Sequence, residues 1–436
     1  MANNAVMQFT DRVFLARESA ASLEAILPAS MLAFVFVGFF QSLVTYSGTF
    51  AAQFHGAGNP RGAVRSYHAG LVLAAVSAIV LAAFIPLGTA VFRWCGHSPE
   101  ILARESTYFT VVMSGAFATC GMMACSAYLT GLGRTRAVFW ANAGGNALNI
   151  VLDYLLIFGF DFSSGLRLAP QGMRGAAVAT VAAQAFQFAV LAWIAHGISR
   201  KAPGGRVSSR AAEGIWSIAA RILFFGTPAG IYSVLNIVSF TVFVFVTERL
   251  GDMALAASNA TFTVNYLIYA PIEGFAVGAG TLVGQHQGAG DSAGADIAAR
   301  RTLILAEIYI VTASLVALVL HRPILDLFVS DAAEFDLAAF RSLGFVLFSL
   351  MMAWQCFDCA DVVLSGALKG AGDTRFIMLW MLFCAFAFWL PLVFIVYRLY
   401  PTMPALWATM IAYVVLICIG TWRRWRHGPW RRIRLV

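Results

Sequence analysis

Charge is scarce in this chain: 11% of its 436 residues are Asp, Glu, Lys or Arg, against 60% hydrophobic and a mean hydropathy of +0.78. Soluble domains carry about 25% charged residues, so this composition excludes a soluble fold and leaves no stretch for a separate soluble domain. A cleavable signal is likewise not expected. Cysteine is sparse, and the seven present (Cys95, Cys120, Cys125, Cys356, Cys359, Cys384 and Cys418) lie in or beside apolar runs, where they read as packing residues rather than as a disulfide framework. Cys356 and Cys359 form a Cys-x-x-Cys pair without a second pair or a nearby histidine, so they are not read as a metal site. The chain also lacks HExxH, GxSxG and any cluster of its seven histidines, which argues against a membrane-embedded enzyme.

What is present is a series of runs of about 20 apolar residues, the length a helix needs to cross ~30 Å of hydrocarbon. Helices satisfy their backbone hydrogen bonds locally, which the bilayer demands. Residues 1 to about 16 are apolar but too short to span, and contain Asp11. Full runs follow near 23–50, 64–92, 101–130, 137–159 and 175–198, then near 215–249, 254–285, 296–320, 335–368, 376–398 and 404–422.

The runs are organised by an internal repeat. Gly48–Ala63 reads GTFAAQFHGAGNPRGA and Gly280–Ala295 reads GTLVGQHQGAGDSAGA, with Thr49/Thr281, Gln53/Gln285, Gly56/Gly288, Gly58/Gly290 and Gly62/Gly294 identical. A second echo follows in order, GLGRTR at Gly131–Arg136 and GAGDTR at Gly370–Arg375. With the stub counted as the tail of a truncated first helix, each half holds six spans. The expected fold is an all-α polytopic membrane protein of two six-helix bundles, 1–198 and 215–422, joined by a linker at 199–214 and followed by a basic tail at 423–436. An even number of spans gives both halves the same orientation, with a pseudo-twofold axis along the membrane normal. Glycine at a helix end tolerates positive φ, so each GAG can stop one span and start the next; no strand precedes either copy and no GKS or GKT follows, so neither is a phosphate loop.

With the linker cytoplasmic, nineteen of the 29 lysines and arginines fall on the inner side and ten on the other, which orients both termini and both glycine motifs to the cytoplasm. The tail from Thr421, TWRRWRHGPWRRIRLV, directly follows a span, so it reads as an anchor at an anionic leaflet rather than a nucleic-acid contact.

Ionisable groups within spans are costly and mark candidate sites: Asp11, Asp153, Glu273, Glu307, Asp358 and Asp361. Asn149 and Asp153 are four residues apart, so an amide and a carboxylate share one helix face and can hold a cation or fasten two helices. Asp358 and Asp361 also share a face; two such carboxylates in low dielectric cannot both ionise cheaply, so one is expected to carry a proton that a gradient can load and unload. Glu273 follows Pro271 and precedes Gly274, the pattern of a kinked cavity wall, whereas Glu307 has no motif around it and reads as a helix-pairing residue.

The GQ/AQ-x-x-GAG repeat, GALKGAGDTR and NIVLDYLLIFG together resemble the multidrug and toxic compound extrusion (MATE) family of secondary transporters, over essentially the whole chain. The resemblance implies two six-helix bundles across a central cleft and multidrug export of organic, often cationic, small molecules in antiport with protons or sodium, without a cofactor or a resident metal. It assigns the cation site of the proton-linked branch to Asp11, Asn149, Asp153 and Thr180. It assigns the carboxylate of the sodium-linked branch to Asp358; Asn236, with Glu273 and Asp361 from the reading of charges within spans, is expected around a second cleft. Asn236 stands where the sodium-linked branch has a glutamate, and only ten residues precede Asp11. The reading expected is therefore a monomeric, multi-pass inner-membrane antiporter coupled to protons at Asp11 and Asp153, with Asp358 secondary or near Na+. The alternative is a lipid-linked sugar flippase of the same superfamily, which would favour a strongly cationic cleft.

Overall fold

A computed structural model describes residues 10–11, 14–15, 17–161, 167–201, 214–328 and 336–436. The linker read at 199–214 lies mostly outside them, as does most of the stub over residues 1–16. Eleven helical rods stand where eleven apolar runs were read. Five precede the linker: Ala20–Thr45 continued by Ser47–Gly56, Pro60–Ala83 by Ile85–Trp94, Pro99–Ser114 by Ala116–Gly131, then Thr135–Phe158 and Gly172–Arg200. Six follow it: Ile215–Thr247, Asp252–Gly288, Ser292–Val319, Leu337–Ala371, Thr374–Leu399 and Met403–His427. Among the described residues nine helices are long and apolar enough to cross a membrane, and ten if the pair Pro99–Ser114 and Ala116–Gly131, bent by 45°, is one span. Thr135–Phe158 falls outside that count, because Asn142, Asn146, Asn149 and Asp153 lower its hydropathy. A two-residue antiparallel ladder, Phe160–Asp161 with Arg167–Leu168, is the one extended element described.

The chain divides into two compact units, residues 2–230 and 231–435. The division falls inside the helix Ile215–Thr247, just past Pro228, downstream of the boundary read at 198–215. Glycine explains the shift. A methyl on Gly226 would lie 2.9 Å from Leu43 Cδ1 and one on Gly230 2.8 Å from Phe39 Cδ2, so the first half of that helix rests closely on Ala20–Thr45.

The glycine repeat has one meaning in both units. Gly58 (φ 65°) and Gly290 (φ 77°) take the left-handed conformation that ends the preceding helix, while Gly56 and Gly288 remain helical. The next helix then starts on a side-chain cap: Asn59 accepts from the Gly62 amide at 2.9 Å and Asp291 from the Gly294 amide at 2.8 Å. The second echo turns on Gly133 (φ 75°) and Gly372 (φ 98°). The two motifs of each unit also touch: a methyl on Gly131 would lie 2.6 Å from the Gly48 carbonyl oxygen, and one on Gly370 would overlap the Gly280 carbonyl. Repeated glycines thus bring two helix backbones into contact in each half.

In the second unit, Phe243 stacks on Trp389 and Trp389 on Tyr413, at 5.4 and 4.6 Å between ring centroids, and Phe262 stacks on Trp407 at 4.6 Å. A π-helical stretch, Phe383–Trp389, precedes Pro391, whose missing N–H and bulky ring disturb the preceding turn. The seven cysteines are free, and Cys95 is exposed.

The tail packs on the unit through its tryptophans, while Arg423, Arg426, Arg431, Arg432 and Arg434 stay exposed. Trp425 and Trp430 are buried and stacked with centroids 4.0 Å apart. Gln287 Nε2 donates to the Trp430 and Ile433 carbonyls, both at 3.0 Å, and Arg434 donates to the Gln287 carbonyl at 2.8 Å. Arg424 holds the buried Asp373 carboxylate at 2.7 and 3.2 Å. The tail therefore straps the ends of Asp252–Gly288 and Leu337–Ala371, with its tryptophans turned inward, the Trp425 indole donating to Asp296 Oδ1 at 3.0 Å and the Trp430 indole to the Trp425 carbonyl at 2.5 Å.

Candidate functional site

In the first unit the helix Thr135–Phe158 carries a polar strip on an otherwise apolar rod. Asn142, Asn146, Asn149 and Asp153 recur at intervals of three and four residues, which puts them on one face. Gln187 from Gly172–Arg200 closes one end, donating to Asn146 Oδ1 at 3.2 Å and to the Asn142 carbonyl at 3.4 Å. The two helices cross closely. A methyl on Gly175 would lie 2.6 Å from the Leu156 backbone, and Gly145 faces the Gln187 side chain. Those two contacts set an antiparallel register that brings Thr180 level with the Asn149–Asp153 turn.

The segment bearing Asp11 is fixed by an aromatic contact. Phe14 packs edge-on against Tyr154 and Phe158, with centroids at 6.2 and 5.9 Å. One helical turn back, Asp11 faces Asp153, close enough, as is Asn149, for each to act on the Asp153 carboxyl. Asp11 is 6% exposed, Thr180 7%, and Asn149 and Asp153 are fully buried. Neither Asp153 oxygen finds a partner in hydrogen-bond geometry among the described residues, nor do the Asn149 amide and the Thr180 hydroxyl. All four predicted residues of this site thus come to one locality. Buried, unsatisfied oxygens cost free energy unless a proton or cation completes them.

In the second unit the helix Leu337–Ala371 presents Asp358 and Asp361. Asp361 is 3% exposed and accepts from Thr421 Oγ1 at 2.8 Å, while Asp358 is half-buried. Glu273, on the helix with Pro271 inside it, lies near enough to Asp358 for their charges to interact, as do all three carboxylates with Tyr232 and Tyr269. Lys369 brings a positive charge, its ammonium 4.1 Å above the Tyr232 ring. Asn236 does not share this seclusion: it is exposed, one turn beyond Tyr232, and its carbonyl accepts from Ser239 Oγ at 3.0 Å. Glu307 lies beside Cys359 of the neighbouring helix. A buried amide chain lies nearer the other end, where Gln355 joins Ser314, at 2.5 Å, and Asn265 from two flanking helices. Among the described residues no group of three His, Cys, Asp or Glu side chains has the arrangement of a metal site.

Sequence reasoning passed over Asn146, Gln187, Tyr232 and Lys369. Asn146 was legible from its spacing to Asn149. Lys369 was not, because spacing does not reveal which way a long side chain turns.

The chain matches the family model MatE over residues 1–155 and 228–395. It is 28% identical over 364 residues to the probable multidrug resistance protein NorM of Thermotoga maritima, covering 83% of this chain and 75% of that one. It is 30% identical over 331 residues to the probable multidrug resistance protein NorM of Deinococcus radiodurans, covering 74% and 69%. Among solved structures, a crystal structure of MATE in complex with MaL6 superposes with a TM-score of 0.86 at 18% identity, over 99% of this chain and 94% of that one.

Proposed function

The chain belongs to the MatE family of multi-pass membrane transporters, and on that premise we propose that it exports organic cations from the cytoplasm in exchange for protons, as a monomer in the inner membrane with both termini cytoplasmic. The observation that carries the coupling ion is the meeting of Asp11 and Asp153 with Asn149 inside an apolar bundle, where no basic side chain is paired with Asp153 among the described residues. A proton needs only one carboxyl to hold it. Sodium needs a fuller cage of charged and carbonyl oxygens. In the second unit Asn236, an exposed amide, adds no fourth acid to Asp358, Asp361 and Glu273, which suits contact with a bulky organic cation better than enclosure of a bare ion. The same acid-rich lining disfavours an anionic lipid-linked sugar.

Loading the proton changes the relative stability of outward- and inward-open states, by no more than the difference in its affinity for the two. Entry of one charge down the membrane potential supplies about 2.3 kcal/mol per 100 mV, so one proton supports only a modest gradient of substrate. The test is efflux of ethidium in everted vesicles under a proton gradient in sodium-free buffer. Wild type is expected to transport, and Asp153→Asn, which keeps the shape of the side chain but removes its titratable proton, is expected to fold and not to transport. Efflux that requires a sodium gradient, or wild-type rates in Asp153→Asn, would refute proton coupling here.

A further inference from the structure

The face of Leu337–Ala371 that holds Asp358 and Asp361 continues through Ser365 to Lys369, at steps of three and four residues. Lys369 is one of two lysines in the chain, the other being Lys201, among 29 basic residues. It stands two residues before the helix ends at Ala371, a position from which a lysine ordinarily extends toward water. Here the side chain turns inward instead. Its ammonium lies over the Tyr232 ring at 4.1 Å, well within the ~6 Å reach of a cation–π contact, and near enough to Glu273 and Asp361 for its charge to interact with theirs. Tyr232 gives this seat an aromatic face, Asp358, Asp361 and Glu273 give it an excess of negative charge, and the protein's own ammonium occupies it.

We propose that Lys369 is a tethered cation holding the seat that a transported organic ammonium takes, so that substrate must displace the lysine from Tyr232 to bind. The inference rests on the cationic-substrate reading above and adds what sets its selectivity. Three acids with no cation among them would be costly in an apolar bundle. With Lys369 in place, the substrate-free unit keeps part of that charge compensated during the return half of the cycle. A substrate without positive charge cannot replace what the lysine leaves, so neutral compounds are rejected. The flexible four-carbon stem allows the ammonium to swing toward the helix end when displaced. The same charge that excludes neutral compounds also weakens the binding of cations, because part of their attraction is spent on expelling it.

Two measurements on the purified full chain in detergent test this. In the first, ethidium binding is followed by fluorescence polarisation. Lys369→Met is expected to bind ethidium about tenfold tighter than wild type, the worth of one vacated cation–π seat, whereas Lys369→Arg binds no tighter. In the second, the lysines are reductively methylated with isotope-labelled formaldehyde and observed by NMR, the Lys369 signal being assigned by its loss in Lys369→Arg. That signal is expected to carry the ring-current shift of Tyr232, to lose it in Tyr232→Leu, and to move toward the position of a free lysine as ethidium saturates, while Lys201 does not move. A Lys369→Met protein that elutes as a folded species yet binds ethidium no tighter, or a Lys369 signal unmoved at saturation, overturns the proposal, as does ethidium binding to none of the variants. Failure of proton coupling is read separately from the vesicle assay, since neither measurement here requires a gradient.

Discussion

Replacing Gly131 or Gly370 by alanine should destabilise the protein, although alanine is the better helix former at both. Each residue ends or nearly ends a helix and rests on the backbone of the paired motif. The new methyl would lie 2.6 Å from the Gly48 carbonyl oxygen in the first unit and would overlap the Gly280 carbonyl in the second. What it meets is main chain on both sides, not the far end of a side chain that could swing away, so relief requires the helices to separate. Overpacking of this kind costs about 1–3 kcal/mol. The propensity gain from glycine to alanine is at most ~1 kcal/mol in a helix interior and less at its end, so the net sign is destabilising. Gly38 supplies the control, because it lies inside Ala20–Thr45 and a methyl there meets nothing within 4 Å among the described residues. Gly38→Ala should be neutral or stabilising by up to ~1 kcal/mol. The assay is thermal unfolding of the purified variants in one detergent, followed by tryptophan fluorescence. Gly131→Ala and Gly370→Ala should both melt below wild type, and Gly38→Ala at or above it. If Gly370→Ala melts with wild type, the helices tolerate separation there, and the claim that the repeat exists to seat backbone on backbone fails.

Trp430→Ala should lower stability by about 3–5 kcal/mol, since it empties a fully buried site against Trp425, whereas Trp422→Ala, at an exposed position, should shift the melt little; equal effects would show that the strap does not hold the unit together. Asp291 is held below the usual carboxylate range, first by the Gly294 amide and then by His286, so its contribution is full above the ordinary aspartate value and is lost as pH falls through the lower folded value. The stability gap between wild type and Asp291→Ala should therefore narrow on acidification, and a gap that widens would contradict this sign.

The sequence made the architecture legible because hydrophobic length and glycine position are both local signals. The eleven apolar runs became eleven rods, and the GAG and GxG echoes marked the turns at which Gly58, Gly290, Gly133 and Gly372 take positive φ. The grouping of Asp11, Asn149, Asp153 and Thr180 came from family resemblance; spacing alone linked only Asn149 to Asp153. The unread features depend on where side chains turn after packing. Lys369 sits near a helix end in the sequence, and spacing could not show that its stem, longer than a helical turn, brings the ammonium over Tyr232. The tail tryptophans read as amphipathic anchors, and spacing could not show that Gln287 would hold the Trp430 carbonyl or that the Trp430 indole would donate to the Trp425 carbonyl. The unit boundary moved into Ile215–Thr247 because Gly226 and Gly230 let that helix bind the first unit closely, a preference that the Gly-, Pro- and Ser-rich linker could not announce.

Duplication gave the two units the same scaffold, and the substitutions since then fall on different helices in each. The glycine contacts Gly48 with Gly131 and Gly280 with Gly370 are equivalent, so the frame around each site is held by the same backbone packing. The chemistry differs. The first unit gathers two carboxyls, an amide and a hydroxyl with no aromatic seat among the groups named, an arrangement that handles a small ion by moving one proton. The second gathers three carboxylates beside Tyr232 and Tyr269 and sets a lysine over one of the rings, an arrangement scaled to a polyatomic cation. If each unit keeps one task, substitutions should separate the two activities: Asp153→Asn should abolish coupling and leave ethidium binding intact, while Lys369→Met should alter ethidium affinity and leave the proton requirement of transport unchanged. Measuring both quantities in both variants closes the comparison. A Lys369→Met protein that transports without a proton gradient, or an Asp153→Asn protein that no longer binds ethidium, would mean that the two sites titrate and bind as one.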